Sequence, residues 1–212
     1  MEGSPDCVRE PGADPQQELR ADRPRIFGIG LNKTGTTSLD RAMTMLGFES
    51  LHDGGPDVHD AVRRAIDDGE PLLSNLDQRF DVFSDIGLLA RRFRLLDAQY
   101  PGSRFVFTTR PMDQWIDSRR RHVERNVALH EAGEYDRGFL VVDVEKWTRE
   151  WKHHTQRVHA YFEGRPDFLE IDLTANPEWG VLCRFLGVAE PDEPFPWANR
   201  DKALHVHEPD AR

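Results

Sequence analysis

The sequence predicts an α/β fold, with a mainly parallel central sheet flanked by helices. Short apolar segments rich in β-branched and aromatic residues recur along the chain, and segments with helical periodicity separate them. This alternation is typical of a parallel sheet that is covered on both faces. The length of 212 residues favours a single domain with one substantial core.

The strands are predicted where apolar runs are bounded by turn residues. Residues 25–30 (RIFGIG) and 104–109 (RFVFTT) show this pattern most fully, and 168–172 (FLEID) and 81–84 (DVFS) add two more strands. A short extended segment is also predicted just before His52. In such sheets, ligands bind beyond the carboxyl ends of the strands, which directs attention to the loops after 25–30 and 104–109.

Helices are predicted from apolar residues that recur at three- and four-residue steps. Gly47 and Gly69 follow two of these segments as C-terminal caps, and Pro111 precedes a third at a favoured first-turn position. The predicted helices span residues 36–46, 58–68, 86–100, 112–130, 143–162 and 177–186.

Both ends of the chain are predicted to lie outside the folded unit. Residues 1–24 are rich in proline, glycine and acid, which predicts a disordered leader, and 203–212 form a C-terminal tail. The leader has neither a basic start nor an apolar stretch, so it does not read as a signal peptide. No apolar run approaches the roughly 20 residues needed to cross a bilayer, and the cytoplasm is the expected location.

Charge and composition exclude several classes of partner. The formal net charge of -10 argues against nucleic acid or an anionic membrane as partner. The two cysteines make no disulfide framework, the histidines are scattered, and we expect no metal. Basic runs at 91–94 and 119–121 are either solvated helix faces or positive charge focused on an anion-binding cleft.

Residues 28–38, GIGLNKTGTTS, form a glycine-rich turn between a predicted strand and a predicted helix, which makes the domain P-loop-like. The dinucleotide fingerprint G-x-G-x-x-G matches at Gly28 and Gly30, but Lys33 stands where the third glycine belongs. That glycine lets helix and strand pack closely, so a lysine in its place counts against this interpretation.

The nucleoside-triphosphate loop G-x-x-x-x-G-K-[ST] also fits only in part. It matches at Gly30, Gly35 and Thr37, but Thr36 replaces the lysine that would contact the β- and γ-phosphates. The second apolar strand ends in Thr-Thr-Arg rather than in an aspartate that could help to hold Mg²⁺.

The run KTGTTS resembles the 5′-phosphosulfate loop of the sulfotransferases, roughly P-K-[ST]-G-[TS]-[TS], with Asn32 in place of the usual proline. In such a loop, backbone N–H groups at a helix N-terminus face the anion, and threonine and serine hydroxyls add donors. The resemblance implies that Lys33 reaches the oxygen bridging phosphate and sulfate, where one ammonium stabilises the leaving charge without a divalent metal. The implied donor-site residues in this loop are Asn32, Lys33, Thr34, Gly35, Thr36, Thr37 and Ser38.

A second motif fits the same family. Arg110 ends the strand at 104–109, and Ser118 follows eight positions later, the spacing of the sulfotransferase 3′-phosphate motif. That motif distinguishes 3′-phosphoadenosine 5′-phosphosulfate (PAPS) from ATP, because an arginine fork suits phosphate oxygens. The alternative is that Arg110 pairs with a carboxylate and Ser118 is an ordinary helix residue.

The resemblance covers residues 25–202 and is greatest to small soluble sulfotransferases with the loop G-L-x-[KR]-T-G-T-[ST]-S-L and a tail F-P-x-x-N. Here the tail match is 195–199. Well-studied relatives close over the nucleotide with a C-terminal R-K-G stretch, which this chain lacks, and Arg200 and Lys202 are the candidate substitutes.

The resemblance also implies a general base that takes the proton of the acceptor. Asp85 occupies the segment where cytosolic relatives carry a histidine, although it could instead be the N-cap of a helix beginning at Ile86. His52 is the rival candidate, with a surface loop as its alternative. The segments 53–79 and 131–139 are expected to line the acceptor side.

The implied function is transfer of a sulfuryl group from PAPS to a hydroxyl or amine acceptor, leaving 3′-phosphoadenosine 5′-phosphate (PAP). A small molecule or a glycan is the expected acceptor; a peptide stays open, as does the oligomeric state. Two alternatives remain. One is a noncatalytic protein that binds PAP or another nucleotide, and the other is a P-loop nucleotide kinase or NTPase, which would require Mg²⁺.

Overall fold

The computed structural model describes residues 24–136 and 138–198, and the central element is a parallel five-stranded sheet in the order β2-β3-β1-β4-β5. The predicted α/β fold with a mainly parallel sheet flanked by helices is confirmed. Residues 1–23 of the predicted leader and the whole predicted tail lie outside the described residues. The strands are β1 (Ile26–Gly28), β2 (Ser50–His52), β3 (Val82–Ser84), β4 (Arg104–Thr108) and β5 (Phe168–Ile171).

The helices lie close to their predicted positions. Asp143 caps the sixth helix by accepting a hydrogen bond from Lys146 N at 2.9 Å, and the seventh begins two residues later than predicted. The helices are α1 (Thr36–Met45), α2 (Gly55–Asp67), α3 (Gly87–Ala90), α4 (Phe93–Gln99), α5 (Met112–Glu131), α6 (Val144–Phe162) and α7 (Trp179–Leu186).

The single helix predicted for 86–100 is wrong, because the chain breaks between α3 and α4 at Arg91 and Arg92. The guanidinium of Arg91 donates to Gly87 O at 3.0 Å, and that of Arg92 donates to Leu88 O at 3.2 Å. The Arg92 side chain thereby satisfies a helix carbonyl that would otherwise need a continuing turn of backbone, whereas Gly87 O also accepts a hydrogen bond from Arg91 N at 3.3 Å. No proline or glycine marks the break, so it could not be predicted from the sequence alone.

The core lies on both faces of the sheet because side chains alternate along each strand. One face is aromatic, with Phe27, Phe83 and Phe105 packing against α2, α4 and α6. The other is aliphatic, with Ile26 and Val106 packing against α1 and α7. Burying such side chains contributes about 1.5–3 kcal/mol each, so the sheet is a firm platform for the loops at its edge.

Strand β2 is the element that the sequence indicated only as a short extended segment. It pairs in parallel with β3, in a register that sets Leu51 opposite Phe83 and His52 opposite Ser84. Its three residues are only partly buried, so the alternation that marks longer strands has little length in which to appear. The pairing brings the end of β2 to the same edge as the loops that follow β1 and β3.

Two further findings concern the described ranges, 24–136 and 138–198. No helix there is long and apolar enough to cross a membrane. No group of three or more His, Cys, Asp or Glu side chains is placed there to hold a metal ion.

Candidate active site

The predicted site residues converge at the carboxyl edge of the sheet. Lys33 follows β1, His52 ends β2, Asp85 follows β3 and Arg110 follows β4. Because all five strands are parallel, these positions share one edge, as is usual for ligand sites in α/β sheets. The structure therefore brings together residues that are up to 77 positions apart in sequence.

The loop between β1 and α1 is held by side chains that bind its carbonyl groups. His154 on α6 contacts Ile29 O through Nε2 at 2.7 Å, and the hydroxyl of Thr34 donates to Leu31 O at 2.6 Å. Trp115 on α5 donates to Asn32 O at 2.7 Å. Ser38 N donates to Gly35 O at 3.0 Å, so a loop anchored through its carbonyls leaves the N–H groups of Thr36 and Thr37 at the start of α1 to serve an anion.

Two glycines of the loop are required by geometry. A Cβ at Gly30 would lie 2.0 Å from the hydroxyl oxygen of Thr108 and 2.4 Å from its carbonyl oxygen, so only glycine fits there. Gly35 has φ of 97° and is the N-cap of α1, a left-handed conformation that glycine adopts without strain. These constraints explain why the loop carries glycine at both positions.

The loop hydroxyls are directed to different partners. Thr34 is buried and contacts the hydroxyl of Thr108 at 2.8 Å, and Ser38 accepts a hydrogen bond from Ala198 N at 3.0 Å. Thr36 is buried and adjacent to Asp85, whereas Thr37 is partly exposed. The hydroxyls of Thr34 and Ser38 thus have roles within the fold, and the donor-binding roles assigned to this loop stay predictions.

The two rival candidates for the general base, His52 and Asp85, lie side by side. Their Nε2 and Oδ2 atoms are 3.7 Å apart, and Thr37 Oγ1 lies 3.5 Å from the same ring nitrogen. On the other side of the ring, His52 Nδ1 contacts Ser84 Oγ at 3.1 Å. The two side chains therefore form one histidine–carboxylate pair.

Asp85 is held in an unusual environment. It has φ of 58°, and its Oδ1 is buried without a hydrogen-bond partner among the described residues. Burial raises the pKa of its carboxyl group, while electrostatic interactions with His52 and Lys33 act in the opposite direction. The alternative reading as an N-cap is wrong, because Ile86 occupies that position and no side chain caps α3.

A neutral replacement of Asp85 is expected to stabilise the protein. The pKa of Asp85 is higher in the folded state than its ordinary value of 3.8. The free energy of unfolding therefore falls as the pH rises from 3.8 to the raised pKa, and it stays lower at all higher pH values. Asp85→Asn removes a buried negative charge whose Oδ1 is unpaired, and a buried group of this kind costs about 1–3 kcal/mol of folding free energy. Asparagine also tolerates the positive φ of this position. We expect a Tm about 2–5 °C above wild type at pH 7.

Thermal melts at several pH values check this expectation. The difference in Tm should shrink toward zero as the pH falls below the ordinary pKa of 3.8, where wild-type Asp85 becomes protonated in both the folded and the unfolded state. The exposed Asp192→Asn variant is the matched control and should melt with the wild type at every pH. An Asp85→Asn protein less stable than wild type at pH 7 would show that the charged carboxylate is well satisfied.

Arg110 lies against the phosphate loop from the neighbouring strand. Its Nη1 is 3.4 Å from Lys33 O, a weak hydrogen bond, and its Nε is buried without a partner in the part of the chain that the structure describes. Burial and the nearby Arg121 lower the pKa of the Arg110 guanidinium. Ser118 is partly buried on α5, two turns further along the same connection.

Four residues near the site were not singled out from the sequence: Trp115, Arg119, His122 and His154. The pKa of His122 is lowered to about 4, first by burial and then by Lys33, Arg125 and Arg119, so its ring is neutral at pH 7. His122 lies one turn after Ser118, and its ring centroid is 5.2 Å from that of Phe139. Only this i, i+4 spacing from Ser118 could have indicated it.

A known protein family matches most of this sequence. The sequence model of the family described as "Sulfotransferase domain" matches residues 25–134 and 130–204. The match covers well over half of the chain, and the protein belongs to the sulfotransferase family. A search of curated proteins finds no match.

Proposed function

We propose that this chain is a PAPS-dependent sulfotransferase. The observation that carries the proposal is the contact between Arg110 Nη1 and Lys33 O, which sets a candidate 3′-phosphate residue beside a loop suited to the 5′-phosphosulfate. An arginine fork and the start of a helix are both suited to phosphate oxygens. Among the described residues, Nε of Arg110 is buried without a hydrogen-bond partner and no ion pair joins Arg110 to a carboxylate, although the more distant Asp172 and Asp117 act to raise its pKa.

The transfer step needs no metal. The acceptor oxygen or nitrogen forms a bond to sulfur while the bond from sulfur to the bridging oxygen breaks, and the electron pair of that bond stays on the bridging oxygen. The ammonium of Lys33 stabilises the charge that develops there. The proton of the acceptor passes to the His52–Asp85 pair, and PAP is released.

Calorimetric titration with PAP, compared with ATP in the presence and absence of Mg²⁺, tests the proposal. We expect metal-independent binding of PAP and much weaker binding of ATP, because ATP lacks the 3′-phosphate. A preference for Mg²⁺-ATP would contradict the proposal and favour a nucleotide kinase or NTPase. PAP binding without transfer to any acceptor would favour a noncatalytic nucleotide-binding protein.

The acceptor is proposed to be a hydroxyl or amine on a small molecule or a glycan. The His52–Asp85 pair lies next to Asp53, whose Oδ1 is 3.2 Å from His59 Nε2, at the start of the segment 53–79 assigned to the acceptor side. Incubation of panels of alcohols, phenols, amines and oligosaccharides with ³⁵S-labelled PAPS identifies the acceptor by the product that carries the label.

The His52–Asp85 pair is expected to act as one general base. His52→Gln and Asp85→Asn should each lower turnover of the identified acceptor by about 10²–10⁴-fold, the usual contribution of a positioned base. The double variant should be no slower than the slower single variant, because the two side chains serve one proton transfer. Steady-state kinetics at saturating PAPS measure this.

An exposed histidine remote from the assigned site provides the control for this prediction. His153→Gln removes a ring on the surface of α6, and it should leave the rate within about threefold of wild type. Wild-type turnover in both His52→Gln and Asp85→Asn would exclude the pair as the base. Losses that multiply in the double variant would show that the two groups act in separate steps.

A further inference from the structure

Asn32, which stands where the resembled loop usually carries proline, is bound by α5 through both its side chain and its backbone. Arg119 Nη1 donates to Asn32 Oδ1 at 3.0 Å, and Trp115 Nε1 donates to Asn32 O at 2.7 Å. A proline would restrain this position through its ring, which fixes φ. In this chain, the contacts from α5 can restrain the loop in place of that ring.

Arg119 is itself held firmly, so it is a fixed donor. Only 8% of its surface is exposed, and its guanidinium carbon lies 4.7–4.9 Å from three aromatic ring centroids. Those rings belong to Trp115, Phe139 and Trp147. Glu150 Oε2, 3.5 Å from Nη1, supplies the opposing charge. A guanidinium enclosed in this way has little freedom to turn away from Asn32.

The next residue, Lys33, has φ of 70°, a left-handed conformation that costs free energy in a residue with a side chain. Such a conformation persists where the flanking structure over-determines it. Asn32 is anchored on one side, and on the other Thr34 is anchored to Thr108 at 2.8 Å and to Leu31 at 2.6 Å. The strained residue is therefore held between two fixed points.

We propose that Asn32 and Arg119 are positioning residues that hold the backbone of Lys33 so that its ammonium meets the bridging oxygen of PAPS. This inference rests on the proposed function. It also joins the two halves of the donor site, because α5 carries Ser118 and follows Arg110 directly. A purely structural role for Arg119 would instead affect folding and both phosphates of the nucleotide alike.

The test compares Asn32→Ala, Arg119→Gln and the double variant with Arg120→Gln, an exposed neighbour on the same helix. Phosphorus NMR of bound PAP reports the two phosphates separately, and release of ³⁵S from labelled PAPS reports turnover. In each single variant, we expect the 5′-phosphate resonance to move toward its free position while the 3′-phosphate resonance stays. Turnover should fall about 10–100-fold with PAP affinity within about threefold of wild type, because misplacement of a reacting group affects rate more than binding.

The double variant should be no slower than the slower single variant, and Arg120→Gln should match wild type. The proposal would be overturned if Asn32→Ala showed the same 5′-phosphate resonance and the same turnover as the wild type. Equal displacement of both phosphate resonances, together with a large fall in Tm, would also overturn it in favour of a structural role. Asn32 is only partly buried, so its variant keeps the test decisive if Arg119→Gln fails to fold. A wild-type protein that does not bind PAP would overturn the proposed function, and this inference with it.

Discussion

Removing the ammonium of Lys33 will lower the turnover of PAPS by about 10²–10³-fold, the usual loss when one donor to a developing oxyanion is deleted. Binding of PAPS should weaken by less than about tenfold, because the bridging oxygen carries little charge until its bond to sulfur breaks. The charge of Lys33 acts where it grows during transfer, so its loss raises the barrier more than it weakens the ground-state complex. Single-turnover kinetics with ³⁵S-labelled PAPS measure both quantities on the same proteins: the maximal rate of transfer and the PAPS concentration that gives half of that rate.

The choice of replacement matters because Lys33 has φ of 70°. Alanine would combine loss of charge with backbone strain, whereas asparagine tolerates this region and isolates the charge. Lys33→Asn is therefore the informative variant, and Lys152→Ala, an exposed lysine on α6, is the control. Equal losses of turnover and PAPS affinity in Lys33→Asn would show that the ammonium binds the nucleotide in the ground state.

The fold was largely predictable because its signals are local. The strands at 25–30 and 104–109 are apolar runs bounded by turn residues, and the helices between them carry a regular apolar face. Strand β2 was predicted only as a short extended segment, and the break between α3 and α4 was not predicted, both for physical reasons. Strand β2 has three residues and only partial burial, and the break at Arg91 depends on side chains that bind carbonyls of the preceding turn.

The site residues could likewise be predicted where they belong to one contiguous motif, and not where the fold brings distant segments together. Lys33 and Arg110 belong to contiguous motifs, so their chemistry could be inferred from residue type and spacing alone. The pairing of His52 with Asp85 could not, because it depends on the register between β2 and β3. Arg119 was visible only as part of a basic run, and its burial toward Asn32 arises from the packing of α5 against the loop.

Arg110→Ala is expected to have the opposite effect to replacement of Lys33, with PAP binding weakened by about 10²-fold. Charge-assisted hydrogen bonds contribute about 1.5–3 kcal/mol each, and a guanidinium fork can make two of them to one phosphate. The rate of transfer at saturating PAPS should change far less, because the 3′-phosphate does not react. A large loss of PAP binding with little change in the rate would make Arg110 a determinant of nucleotide selectivity.

Comparison of two nucleotides isolates the contribution of the 3′-phosphate. Calorimetry should show that Arg110→Ala weakens PAP strongly but leaves adenosine 5′-phosphate, which lacks the 3′ group, within about threefold of wild type. Arg110→Lys should recover only part of the loss, since an ammonium keeps the charge without the planar fork. The exposed Arg120→Ala, on the helix that carries Ser118, should bind both nucleotides as the wild type does. If Arg110→Ala weakens the two nucleotides equally, Arg110 supports the loop through its contact with Lys33 O and does not read the 3′-phosphate.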